Sequence, residues 1–172
     1  MALVAGDLRG YRLDRIDAGT AFFHPVDGGP VLEVTERVEK RFLGHFETAR
    51  FEVRAPARGW GEARLQARHT GRIKREGVTF DLIAGNSAAA DLARALESDA
   101  EFTAAVLPLD FTRFDVELSA GHCVATVELM GASFVSLALP PMRSYVRLHP
   151  DQRQALVASL SALANVVGDR SG

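Results

Sequence analysis

Arginine, tyrosine, arginine and histidine recur at every second position in LPPMRSYVRLHPDQRQAL, residues 139–156, as Arg143, Tyr145, Arg147 and His149. On an extended chain that spacing puts two guanidiniums, a phenol and an imidazole on one face. Their shared chemistry is anion capture, because the planar fork of arginine matches a phosphate or a carboxylate. The intervening Met142, Ser144, Val146 and Leu148 supply the core side that a half-buried strand needs. The favoured expectation is a solvated polar face, with an anion site as the second reading.

Another candidate lies in VLEVTERVEKRFLGHFETARFEVRA, residues 31–55. Leu32, Val34, Val38 and Phe42 occupy even positions, and Ala49, Phe51, Val53 and Ala55 odd ones. Two strands joined by a Leu43-Gly44 turn fit this pattern, with glycine supplying the positive φ. That turn sets Val38 opposite Ala49 and Val34 opposite Val53 on the core face, and Glu33 opposite Arg54 on the wet one. It also turns Glu36, Lys40 and Glu47 inward, with Lys40 opposite Glu47. Charged groups facing a core are costly unless paired or wetted. Lys40, His45 and Glu47 would then line the polar end of a cleft for a small ligand. If the hairpin tip overhangs the core instead, they are solvated, and this is the favoured expectation.

Catalytic groups are harder to find. Cys123 shares its strand side with Ala125, Val127 and Leu129, so it is expected to be a buried structural thiol, with His122 on the opposite face. There is neither a G-x-S-x-G elbow nor an S-x-x-K pair. The histidines at 24, 45, 69, 122 and 149 form no metal-ligand spacing, and no cofactor is indicated. RGWGEAR, residues 58–64, joins two strands, so its glycines do not make a phosphate loop, which leads into a helix. Trp60 in that loop is a candidate docking aromatic, or folds back over the sheet end. Asp110, Asp115 and Glu128 are the carboxylates an enzyme would draw on, and lone strand carboxylates are usually solvated.

These residues need elements to hold them. EARLQARH, residues 62–69, is expected as a third strand, with Phe51 opposite Leu65, Glu52 opposite Arg64 and Arg54 opposite Glu62. VTFDLIAG, residues 78–85, follows as a fourth. Ser87 then N-caps a helix over AAADLARALES, and Ser98 or Asp99 caps a shorter one that Pro108 stops. Strands are expected over 111–119, over 122–130 after an Ala120-Gly121 turn, and over 133–140 after a Met130-Gly131 turn. Beyond the strand-like 139–149 run comes a last helix with Pro150 in its first turn. Leu156, Leu160, Leu163, Val166 and Val167 make its apolar stripe. Its back, Ala158, Ser161, Ala162 and Asn165, carries no charge, and none occurs from Gln154 to Gly168. Either this helix is covered on both sides within the domain, or its back packs on a second copy as a homodimer.

Composition bounds the rest. With 172 residues, 47% hydrophobic and 24% charged, the chain suits one ordinary globular domain. A net charge of -2 gives no bulk argument for nucleic acid or membrane, although basic residues concentrate in 33–76 and acidic ones after it. A single cysteine and the absence of a leader-like N-terminus or a long apolar run lead to a cytoplasmic expectation.

From DLARALESDAEF through VELMGASFVSLALPPMRSYVRLHPDQRQAL, and above all in PPMRSYVRL, the chain resembles an uncharacterised bacterial domain family of unknown function. The resemblance implies a bacterial origin and a single domain, with no activity to carry over. The expected fold is α+β: an antiparallel, meander-like sheet of about six to eight strands, a helical pair inserted after the first half, and a C-terminal helix packed on the sheet. The leading functional expectation is a non-catalytic binding or interaction module, with a protein partner or a second copy. A small-ligand-binding protein with a cleft between sheet and helices comes next, and a carboxylate-based enzyme third.

Overall fold

The computed structural model describes residues 1–17, 19–41, 44–71, 75–138 and 141–168. Along the chain run α1 (Ala2–Asp7), β1 (Tyr11–Arg15), β2 (Thr20–Pro25), β3 (Leu32–Arg41), β4 (Gly44–Pro56), β5 (Ala63–Thr70), β6 (Gly77–Gly85), α2 (Ser87–Ser98), α3 (Ala100–Val106), β7 (Phe111–Ser119), β8 (His122–Ala138), β9 (Pro141–Val146) and α4 (Pro150–Gly168). The fold is α+β, with nine strands in one antiparallel sheet ordered β1-β2-β3-β4-β8-β7-β5-β6, and β9 also paired to β8. The helical pair and the C-terminal helix lie where the sequence puts them. Helix α2 starts one residue earlier than expected, because the Asn86 side chain, not that of Ser87, accepts from Ala88 N at 3.0 Å. Asp99 caps α3 by accepting from Phe102 N.

The meander covers only β1 to β4. Strands β4 and β5 are not neighbours, so Phe51 does not face Leu65: β8 and β7 lie between them. The expected ion pairs across that boundary are replaced. Arg50 reaches Glu128 at 3.0 Å, Arg64 reaches Glu117 at 3.0 Å, and Arg75 reaches Asp110 at 2.6 Å. Each joins a basic residue of the first half to an acidic residue of the second. The uneven charge along the sequence is thus the mark of an interleaved strand order, in which opposite charges meet across strands.

The 57–62 segment makes this crossing. Ala57 N donates to Gly121 O at 2.8 Å, tying the loop to the end of the β7–β8 hairpin. Trp60 is buried, with its indole N–H donating to Val167 O at 2.9 Å. It satisfies one of the carbonyls that a helix end leaves open. The expected docking aromatic is therefore inside the molecule, closing α4 onto the sheet.

Two registers differ from expectation. In the β3–β4 hairpin Val34 faces Phe51 and Val38 faces Glu47, a slip of two residues from the Val38–Ala49 pairing. A two-residue slip keeps every side chain on its face, so alternation could not discriminate the two. Gly44 pairs with Arg41 as part of β4, and Leu43 lies outside the described residues. Met130-Gly131 is no turn either. Strand β8 continues to Ala138, with Glu128 opposite Arg50 but Ser133 opposite Thr48, so extra residues bulge out between them. Ala132 takes the strain at φ 59°.

The core is one cluster beneath the sheet, holding Phe23, Phe51, Leu65, Phe114, Leu129, Leu156, Leu160 and Leu163. Phe102 of α3 sits between Phe80 and Phe114, with ring centres 5.8 and 6.1 Å away. Helix α1 adds Val4 to this cluster and packs against β8, with its Met1 amino group on Glu36 of β3 and its Asp7 on Tyr145 of β9.

Candidate functional site

Several of the polar residues singled out by the sequence gather where β4, β8 and β9 pair. His45 Nε2 lies 3.2 Å from Glu47 Oε1, and the Arg143 guanidinium lies 3.7 Å from the same oxygen. Arg143 also sits over the Phe134 ring, 4.9 Å from its centre, and Phe134 lies 4.9 Å from Tyr145. The Tyr145 hydroxyl donates to Asp7 Oδ2 at 2.8 Å. Burial pushes the Tyr145 phenol well above its ordinary range, and the Asp7 carboxylate pushes it further. His45, Glu47, Arg143 and Tyr145 therefore form one continuous row. The Lys40 side chain lies outside the described residues, but its backbone pairs with His45 and not with Glu47.

This corrects the alternation expected for β9. Tyr145 turns toward α1, whereas Met142 and Val146 are exposed. Strand β9 pairs with β8 beyond its bulge and is exposed at every residue but the half-buried Tyr145, so no alternating core face forms on it. Leu148 is buried as expected, but it lies past the strand end. His149 is exposed and turned toward Asp151 at 3.4 Å.

The carboxylates offer no free acid or base. Asp110 is held by Arg75, Asp115 by Arg113 and Gln66, and Glu128 by Arg50. Of the three, Glu128 lines a hollow of about 890 Å³ on the outer face of the sheet, whose guanidiniums, Arg37 and Arg113, already lie against Glu128 and Asp115. Cys123 is buried, and burial pushes its thiol up to about 12, so little thiolate forms near neutral pH. A thiol reagent at pH 8 should therefore react slowly with the native protein and rapidly after denaturation, and equal rates would contradict the placement of Cys123. Among the described residues no group of three or more His, Cys, Asp or Glu is placed to hold a metal ion. No described helix is long and apolar enough to cross a membrane.

A largely apolar concavity lies elsewhere. The last β3–β4 pair is Glu33 with Glu52, so β4 runs on alone through Val53, Ala55 and Pro56 on that side. The chain before β3 bends away at Gly28 and Gly29, both at positive φ, values glycine adopts without strain. The gap left between the sheet and α4 is a cleft of about 510 Å³. Phe22, Val31, Val53, Ala55 and Pro56 line the sheet side, and Ser161, Ala164 and Asn165 the helix side. Arg54 and Glu33 stand at the same cleft, 3.4 Å from one another.

The uncharged back of α4 thus divides. Ser161 and Asn165 line the cleft, Ala158 is exposed outside it, and Ala162 is buried at 2% exposure in the core. The sequence marks Ser161 and Asn165 as an uncharged helix back, expected against a second copy or the domain itself, and gives no sheet wall opposite them. The available signal was the Gly28-Gly29-Pro30 run, which ends the strand before it and opens the gap.

A family model described as "Protein of unknown function (DUF3156)" matches residues 6–167. No curated protein and no solved structure matches the chain.

Proposed function

From the premise that the chain belongs to this family, DUF3156, whose description assigns no activity, we propose that the protein is a non-catalytic binding module for a small apolar ligand held between the sheet and α4. The cleft itself carries this reading. Ligand sites are typically concave, largely apolar and of about 300–1,000 Å³, and the cleft has about 510 Å³ with few polar groups. An apolar ligand gains about 0.8 kcal/mol for each methylene it hides there. The reading also accounts for the back of α4. A charge at Ser161, Ala164 or Asn165 would be desolvated by such a ligand, so small neutral residues suit the wall.

The uncharged fluorophore N-phenyl-1-naphthylamine tests this. Its fluorescence should rise saturably with the protein, and Ala164→Phe, which fills the cleft, should weaken binding at least about 10-fold. Ala158→Phe, outside the cleft, should leave binding unchanged. Absence of saturable binding, or equal binding by the Ala164→Phe variant, would overturn the proposal. A homodimer through α4 is the second reading, favoured by the exposure of Ala158 and Asn165. It would close the same cleft, so the fluorophore should then dissociate the dimer in sedimentation.

A further inference from the structure

A second concavity, of about 590 Å³, lies on another part of the molecule, where α1, the end of β9 and the first turn of α4 meet. Arg9, Arg147 and Arg153 all line it, along with His149. From these three guanidiniums we infer that the hollow is a binding site for a phosphate group, free or as the ester of a small molecule.

The distribution of charge carries the inference. Elsewhere in the molecule arginines such as Arg50, Arg64, Arg68, Arg75, Arg94 and Arg113 lie against carboxylates. Arg9, Arg147 and Arg153, like Arg12 and Arg58, have no carboxylate partner among the described residues, and these three converge on one hollow. Asp7 is the carboxylate lining it, and its Oδ2 already accepts from the Tyr145 hydroxyl and Leu148 N, each at 2.8 Å. Asp151 is highly exposed and turned to His149. The hollow is left with an excess of positive charge, and the adjoining N-terminal end of α4 adds to it.

The site is also built in advance. Arg153 donates to Asp7 O at 3.0 Å, which fixes its side chain before any ligand arrives. Buried Leu148 anchors the segment that carries Arg147 and His149. That segment lies so close to β8 that a Cβ on Gly131 would sit 3.2 Å from both Arg147 O and Leu148 Cα, so a glycine there lets the two strands of chain touch. Three fork-shaped donors offer more hydrogen bonds than a carboxylate's two oxygens accept in one plane, whereas a tetrahedral phosphate meets donors from several directions. Apolar Leu3 and Pro150 share the wall and would face the organic part of an ester.

Calorimetric titration at matched ionic strength tests the site with inorganic phosphate, phenyl phosphate and benzoate. The expected result is saturable binding of both phosphates, weakened about 10-fold by Arg9→Ala and by Arg147→Ala, each removing one charge-assisted contact. Both residues are exposed, so neither variant threatens folding. Arg64→Ala, which removes a cation paired with Glu117 far from the hollow, should change nothing. Tighter binding of phenyl phosphate than of inorganic phosphate identifies an ester as the ligand, and equal binding identifies the free ion. No saturable binding, binding indifferent to Arg9→Ala and Arg147→Ala, or benzoate binding as well as phenyl phosphate would overturn the inference.

Discussion

Ala162→Glu is expected to unfold the protein, while Ala158→Glu, one helical turn earlier, leaves its thermal melt almost unchanged. Ala162 is buried among the core side chains at 2% exposure, and Ala158 is exposed. A carboxylate forced into that site loses its hydration with no partner to replace it, at a cost above about 4 kcal/mol. Domains of this size are stable by only about 5–15 kcal/mol, so a loss on this scale shows as a collapsed or much lowered melt. Substitution at an exposed helix position should cost within about 0.5 kcal/mol. Circular dichroism melts of the two variants decide it. A wild-type melt for Ala162→Glu would mean that α4 presents a different face to the core.

Trp60→Ala should produce the next largest loss, about 3–5 kcal/mol in urea unfolding, as expected when a buried large side chain leaves a cavity. The effect reaches beyond packing. Trp60 ties the 57–62 crossing to the end of α4 through its bond to Val167 O, and the crossing carries the chain from β4 over β8 and β7 to β5. Trp60→Phe keeps most of the ring and removes the N–H, so it should cost about 1–1.5 kcal/mol beyond the lost volume. A Trp60→Ala protein within 1 kcal/mol of wild type would contradict this anchoring role.

The sequence resolved faces better than neighbours. Period-two alternation located β3 to β7, the first half of β8, and the side of Cys123, because one buried face imposes that pattern whatever strand lies alongside. It could not order the strands. A six-residue loop after Pro56 reads as a hairpin, and the alternation of β5 suits β4 as well as it suits β7. The clue was in the charges: basic residues crowd 33–76, and Arg50, Arg64 and Arg75 meet Glu128, Glu117 and Asp110 of the acidic second half. Residues 1–25 give no clear pattern in sequence, because α1 is six residues long without a side-chain cap and β1 and β2 are short.

Of the site residues, His45, Glu47, Arg143 and Tyr145 were visible from their types and prove to be contiguous. Their orientation was not visible, since it depends on a bulge at residues 128–133 that Met130-Gly131 disguises as a turn. The cleft was half visible. A helix without charge declares that something covers or adjoins it, but what lies opposite follows only from where β3 stops pairing with β4.

Whether the space beside α4 receives a ligand is read directly by methyl-resolved carbon-13 NMR. Titration with N-phenyl-1-naphthylamine should move the methyl signals of Val53, Ala55 and Ala164 together, along one saturating curve, while those of Leu65 and Val116 in the distant core stay still. Signals at the cleft that do not move, or shifts that spread without saturation over exposed Leu3, Met142 and Val146, would contradict binding there.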